Sequence, residues 1–310
     1  MILQNNAPRK QADIRRVRPS HSVTAIVCLM TAPLVMGPPS AAGADATTDK
    51  SSFHLFNPTP RSLMRDLSTD RPDKTESAYT VDAGHIQLES DLVSYSRDHD
   101  TAGGSDVRVD AWAFAAINFK LGLCNRADLQ VVVDSYNHVR THDRIAGTVL
   151  KQRGFGDVTT RLKYNVWGND EGDTALALMP WAKFPSNQDN LGNNAVEAGL
   201  IIPLNGSLPG GWSFGVMTEI DFIQNSTDTD YHAEFVNSLT FSRGIFGKLG
   251  GYIEFWSLVS GEPGVPWIGT VDLGLTYGLT EDIQFDAGIN IGITRSAEDL
   301  NPFVGVTVRF

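Results

Sequence analysis

The amino-acid sequence predicts an all-β protein, a closed antiparallel transmembrane β-barrel of about twelve strands preceded by an irregular lead-in. Three observations carry that expectation: a three-part export segment at the N-terminus, hydropathy that keeps returning to a period of two in runs of about ten residues, and an apolar stripe that ends on the aromatic Phe310.

The export segment comes first. Arg9, Lys10, Arg15, Arg16 and Arg18 form a basic region, Val23 to Met36 a short apolar one, and Ala42-Gly43-Ala44 a small-x-small cleavage site, so residues 1–44 read as a signal peptide removed near Ala44. The apolar run is too short for a membrane helix and contains Pro33, and nothing after it approaches the roughly 20 consecutive apolar residues that a helical span needs. Cys28 does not make a lipoprotein signal, because Val27 stands where such signals need a small residue. Cleavage would leave 20 Lys/Arg against 35 Asp/Glu, a net charge of about -15, which argues against nucleic acid as a partner. It would also leave Cys124 as the single thiol, so neither an intrachain disulfide nor a cysteine zinc site is expected.

The alternation follows from Gly84 onward. In 107–121 the apolar phase is Val107, Val109, Ala111, Ala113, Ala115, Ile117, Phe119 and Leu121, set against Arg108, Asp110, Asn118 and Lys120. The split recurs at Val158, Leu162, Tyr164 and Val166 against Asp157, Arg161, Lys163 and Asn165, and at Trp212, Phe214, Val216, Ile220 and Phe222 against Glu219 and Asp221. It is clearest at 282–294, where Ile283, Phe285, Ala287, Ile289, Ile291 and Ile293 alternate with polar or small residues. Further segments begin near His85, Asp128, Thr174, Ala195, Tyr231, Lys248, Trp267 and Pro302. One phase suits lipid and the other water. Closure follows because lipid offers no hydrogen-bond partner to a free strand edge.

The last strand carries Val304, Val306, Val308 and Phe310 on one face, the kind of aromatic end that the outer-membrane barrel assembly machinery reads. With Phe310 on the periplasmic side, the short connections, such as 122–127 and 280–282, are periplasmic. The longer ones, 97–106, 140–154 and 185–194, are then extracellular. Outward-phase aromatics fall into two groups: Phe119, Tyr164, Trp212, Phe241, Tyr277 and Phe310 near the inner rim, and Phe184, Phe222, Tyr231 and Trp267 near the outer one. The barrel is assigned to 84–310, in the lipid of a Gram-negative outer membrane. Residues 45–83, with Pro58, Pro60 and Pro72, form a lead-in that lies in the periplasm or folds into the lumen.

That lead-in contains Asp70-Arg71-Pro72-Asp73-Lys74-Thr75-Glu76-Ser77, followed by Gly84, Gln87 and Glu89. Gly154-Phe155-Gly156-Asp157, Pro180 with Lys183 and Pro185, and Gly278-Leu279-Thr280 through Gly288, Asp299 and Phe303 complete a pattern that spans nearly the whole mature chain. With these motifs the sequence resembles the outer-membrane proteins of the MetA-pathway of phenol degradation family. The resemblance implies a barrel with a role in uptake of small, aromatic compounds, and it marks no catalytic residue.

Candidate pore-lining and solute residues are those of the polar phase: Arg108, Asp110, Trp112, Asp134, Tyr136, Arg161, Lys163, Trp181, Lys183, Glu219, Asp221, Glu254, Trp256, Asp272 and Asp286. Carboxylates outnumber cations on this phase, which favours cations or neutral solutes in an open lumen. The same charges can instead pair and fill the interior. The aromatics of this phase could stack a solute or simply occupy space. Two other function classes stay open. A hydrolase would use His138, His142 or His232 beside a serine, although no Gly-x-Ser-x-Gly elbow is present, and a structural or adhesive barrel would act through the loop 140–154. His and Asp are scattered without ligand spacing, so neither a metal nor a cofactor is expected.

Overall fold

The computed structural model describes residues 49–227 and 230–310; the expected signal peptide lies outside them. Among the described residues fourteen strand segments form one sheet. They are β1 (Ile86–Asp100), β2 (Val107–Cys124), β3 (Ala127–Val133), β4 (Tyr136–Asp143), β5 (Thr148–Gly154), β6 (Val158–Trp167), β7 (Thr174–Phe184), β8 (Glu197–Leu208), β9 (Trp212–Gln224), β10 (Tyr231–Phe246), β11 (Leu249–Ser260), β12 (Ile268–Gly278), β13 (Ile283–Gly292) and β14 (Leu300–Arg309). Each pairs antiparallel with its neighbours, and β1 pairs with both β2 and β14, which closes the sheet.

The count resolves to a twelve-strand barrel. β3 and β4 both lie along β2 and form one interrupted strand, and β5 and β6 form a second, paired with β4 and β3 respectively. The interruptions fall at Asp134-Ser135 and at Phe155-Gly156-Asp157. Below, the inner rim is the one that holds Ile86 and Arg309, and the outer rim is the opposite one. The loop expected over 140–154 is mostly strand: β4 and β5 run on as a hairpin that turns only at 144–147.

Apart from register shifts near the strand ends at Cys124, Trp167 and Phe246, the period of two is broken along one row. At that height two successive residues turn outward on each of three adjacent strands, Leu92-Val93, Phe114-Ala115 and Ser135-Tyr136, and on the next Phe155 turns outward and Gly156 carries the extra step. The flanking inward positions Asp91, Ser94, Ala113, Ala116, Asp134, Asn137 and Gly154 are buried. Ala115 has a φ of 50°. One extra step in an alternating strand moves every later side chain to the other face. This corrects the sequence assignment of four candidates. Arg108, Asp110 and Trp112 lie beyond the row and Tyr136 within it, and all four point out of the barrel, while Ser94, Ala111, Ala113, Asn137 and Val139 take the inward places. Tyr95, Trp112, Phe114 and Tyr136 form a continuous aromatic ladder on the outside, with successive ring centroids 4.6, 6.2 and 6.3 Å apart.

Elsewhere the outer face is apolar. Tyr164, Trp212 and Tyr277 are exposed toward the inner rim, and Phe184, Phe222, Tyr231 and Trp267 toward the outer, with Leu, Ile and Val between them. The inner face carries an apolar band as well: Met179, Ile201, Met217, Val236, Trp256 and Leu258 pack together across β7 to β11, with Trp181 and Ile268 against them. Among the described residues no helix is long and apolar enough to cross a membrane.

Residues 65–82 run into the barrel from the inner rim and back out, as their partners on the wall show. On the way in, the Arg65 guanidinium donates to Asn125 Oδ1 at 2.9 Å, and its carbonyl accepts from Arg309 at 2.7 Å. At the apex, Arg71 and Lys74 reach β1, β12 and β13 at mid-height. On the way out, Ala78 N donates to Asn205 Oδ1 at 2.6 Å, Thr80 N to Asn169 Oδ1 at 3.1 Å and Val81 N to Asp128 Oδ2 at 3.0 Å. Gly84 N then meets the Gly122 carbonyl at 2.8 Å, and β1 begins. Gly122 is required there, since a Cβ would fall 2.0 Å from the Asp82 carbonyl oxygen.

Candidate functional site

The apex of the lead-in divides the lumen. Above it, a cavity of about 210 Å³ opens toward the outer rim, floored by Arg71, Pro72, Asp73 and Lys74 and walled by Trp256, Leu258, Ile268, Phe303 and Val139 among others. Below it, a second cavity of about 280 Å³ lies between the two legs, beside Arg65, Leu67, Tyr79 and Arg309.

Charge holds the partition in place. Arg71 pairs with Asp91 on β1 at 2.7 Å and with Asp286 on β13 at 2.7 Å. Lys74 Nζ sits 3.2 Å from Asp272 and 4.6 Å from the Trp256 ring centroid, while its backbone N–H donates to Glu254 Oε2 at 2.8 Å. Glu76 accepts from Arg161 at 2.8 Å. At the centre, Asp70 is clamped by Lys120 and by Lys163, the latter at 2.6 Å, and accepts the Ser77 N–H at 2.9 Å, so one carboxylate ties the two legs together. Glu89 accepts from Lys120, from Gln87 Nε2 at 2.8 Å and from the Asp70 N–H at 3.1 Å. Apart from Lys74 and Arg161, which are half-buried, these charges are buried, where an ion is tolerated only when it is paired and hydrogen-bonded.

The motif around Asp70 thereby acquires a physical reading. Asp70, Arg71, Thr75 and Glu76 supply the plug's contacts, and on β1 Glu89 accepts the Asp70 N–H while Gln87 Nε2 donates to the Ser68 carbonyl. Thr75 Oγ1 shares a hydrogen bond of 2.7 Å with Ser238 on β10. The Pro72 carbonyl accepts from Tyr252, Asp73 faces the outer cavity, and Gly84, with φ of 76°, lets the chain pass against Pro58.

The inward side chains of the remaining candidates fall into four sets. Arg161, Lys163, Glu254, Asp272 and Asp286 bind the lead-in. Trp181, Lys183, Glu219 and Asp221 lie on the β7 to β9 wall, with Trp181 Nε1 donating to Glu219 at 2.9 Å and Lys183 paired with Glu197. Trp256 lines the outer cavity. Asp134 is buried at the β3–β4 interruption, where its carbonyl accepts the Gly156 N–H at 2.9 Å. Sequence reasoning missed Ser94, Asn290, Glu298 and Phe303, which also line that cavity. Asn290 was on the correct phase and needed only its height. Ser94 lay hidden behind the flipped row. Among the described residues no group of side chains is arranged to hold a metal ion.

A family model described as "Putative MetA-pathway of phenol degradation" matches residues 69–310. The chain belongs to that family. The match begins one residue before Asp70, so the family pattern includes the plug apex as well as the barrel. None of the curated proteins matches the chain. Among solved structures, an outer membrane channel from Pseudomonas putida F1 superimposes with a TM-score of 0.52 at 13% identity, covering 78% of this chain and 100% of that one. The NanC porin gives a TM-score of 0.47 at 11% identity over 72% of this chain and 98% of that one. The CymD monoaromatic hydrocarbon channel gives 0.43 at 10% over 73% and 88%. At these identities the likeness to the first speaks for the fold that this phenol-degradation family member shares with it.

Proposed function

We propose that the protein is a gated outer-membrane channel of a Gram-negative bacterium, passing small neutral solutes of aromatic or partly apolar character. The observation that carries this reading is the lead-in, which crosses the lumen between two cavities and is held there by polar and ionic contacts. Water and ions can replace such contacts, whereas a plug seated on apolar packing would be a permanent core. The outer cavity offers a solute both apolar walls and, at its floor, cations beside aromatic rings: Arg71 lies 5.7 Å from the Phe303 centroid and Lys74 lies over Trp256. The name of the family points the same way.

The apolar exterior with aromatics near both rims supports a bilayer setting. The outward stripe Val304, Val306, Val308 and Phe310 supports delivery by the barrel assembly machinery. A transport role is favoured over catalysis. His232, one of the histidines a hydrolase would need, is bound by Asn225 at 2.9 Å and Glu234 at 3.1 Å, and His138 lies on the outward face of β4.

Planar-bilayer recording tests the channel. The full chain should show rare, brief openings, and a variant with Arg71→Ala and Lys74→Ala should conduct steadily. Phenol should quench tryptophan fluorescence less in Trp256→Phe than in the parent. Silence in both proteins, with no Trp256-dependent quenching, would remove the channel reading.

A further inference from the structure

Because the alternation flips along one row, the outward face beyond it carries residues that an uninterrupted barrel would hold in its lumen. Register places them in a grid over β1, β2, β4 and β5. Tyr95, Trp112, His138 and Arg153 stand side by side in one level, and Arg97, Asp110, Arg140 and Lys151 in the next. Arg108 lies one level further toward the outer rim. Arg97, Arg140, Lys151 and Arg153 are exposed. Asp110 is the single carboxylate in these levels, and it is already engaged by Arg108 at 2.7 Å and by the Tyr95 hydroxyl at 2.6 Å. The inward face of the same segment turns away from this patch, with Gln152 donating to the Asp189 and Asn190 carbonyls of the loop 185–194.

In a chain with net charge -11, this concentration of Lys and Arg on the outside of the wall is local and one-sided. Its position is equally specific. The aromatic ladder begins level with Arg153 at Tyr95 and Trp112 and continues on the membrane side at Phe114 and Tyr136, and such rings settle at the level where acyl chains give way to headgroups. Cations in that place are next to the headgroup phosphates, and a guanidinium is the side chain best matched to a phosphate. Strands lie about 4.8 Å apart, so the patch is about 14 Å wide over its four strands, room for more than one phosphate on one headgroup.

We propose that this face of β1, β2, β4 and β5 binds an outer-leaflet lipid with a multiply phosphorylated headgroup, its phosphates on Arg97, Arg140, Lys151 and Arg153 and its chains along the aromatic ladder. The proposal rests on the outer-membrane reading above.

Vesicles of phosphatidylcholine alone, or with a tenth of diphosphorylated lipid A or of its dephosphorylated form, provide the test. The full chain is inserted into each, and bound lipid is counted after detergent extraction by native mass spectrometry. Heat-modifiable migration of the protein from pure phosphatidylcholine reports membrane insertion by itself, so a failed barrel and a failed lipid site give different results. Diphosphorylated lipid A should be retained at least tenfold above phosphatidylcholine, and the dephosphorylated form should not. Replacing Arg97, Arg140, Lys151 and Arg153 together by Gln should abolish that preference, and replacing the three arginines by Lys should keep most of it, which controls for folding. Equal retention by the Gln variant, equal retention of the dephosphorylated lipid, or preferential capture of soluble polyglutamate over lipid A would each overturn the proposal.

Discussion

Arg71 and Asp286 form a two-point ion pair, Nη2 to Oδ1 at 2.7 Å and Nε to Oδ2 at 3.1 Å, across 215 residues of sequence. Fork-on-carboxylate pairing fixes orientation as well as distance, so the pair sets the angle at which the lead-in crosses the lumen. Removing one member of a buried pair strands the other, at a cost of about 3–5 kcal/mol. Arg71→Ala should therefore release the apex while the closed hydrogen-bonded wall stays intact. Trypsin should then cut at Lys74, which the parent protects, and heat-modifiability should be unchanged. Continued protection of Lys74 would show that the pair does not hold the plug.

The two faces of β13 should respond differently to the same charge. Ile289 pairs with Leu273 on the outward face, and Asn290 lines the outer cavity. Ile289→Arg should destabilise insertion by about 2–4 kcal/mol if it lies near the midplane, and Asn290→Arg should insert normally while narrowing the cavity. Urea titration of both variants in the same vesicles checks this.

Acid should loosen the lead-in where it leaves the inner rim. Asp282, in the turn between β12 and β13, is partly desolvated, which opposes ionisation. Hydrogen bonds from Arg61 and from Arg309 outweigh this and hold its carboxyl below the ordinary carboxylate range. A lowered folded pKa contributes stability that is present above the ordinary value, near 4, and is lost as pH falls through the lowered one. A spin label at Ser62→Cys in a Cys124→Ser background should stay immobile from neutral pH to about 4 and gain mobility only below that. With Asp282→Asn added, it should be mobile throughout.

Gly122→Ala should displace the outgoing leg. The added methyl would lie 2.0 Å from the Asp82 carbonyl, which is backbone and cannot swing aside. Protease sensitivity in residues 78–84 should rise with no loss of barrel, and unchanged protection would mean that the leg has another route past β2.

Much of the barrel was legible because lipid outside and a polar interior impose a period of two that few sequences sustain by chance; Ile283 to Ile293 is one such run. The flipped row was not legible, for a physical reason. Ala111, Ala113, Ala115 and Ala116 are small enough for either face, so an extra step among them leaves no trace in hydropathy, and Trp112 and Tyr136 suit both a lumen and a membrane interface. The motif from Asp70 to Glu76 could be seen in the sequence. What it grips could not, because Asp286, Thr270 and Glu254 lie 215, 196 and 179 residues from their partners Arg71, Lys74 and Thr75.

Those separations also set an order of events. The lead-in precedes every described strand, yet its apex has no complete site until β1, β11, β12 and β13 are all in place. Contacts of such long range form only after the intervening chain has been organised. The first part of the body to emerge is therefore the last to find its place, and until then a strip of unpaired Asp, Arg, Lys and Glu must wait in water. Its polarity keeps that strip from collapsing onto nascent apolar strands, and the wall can close around solvent before the plug replaces it.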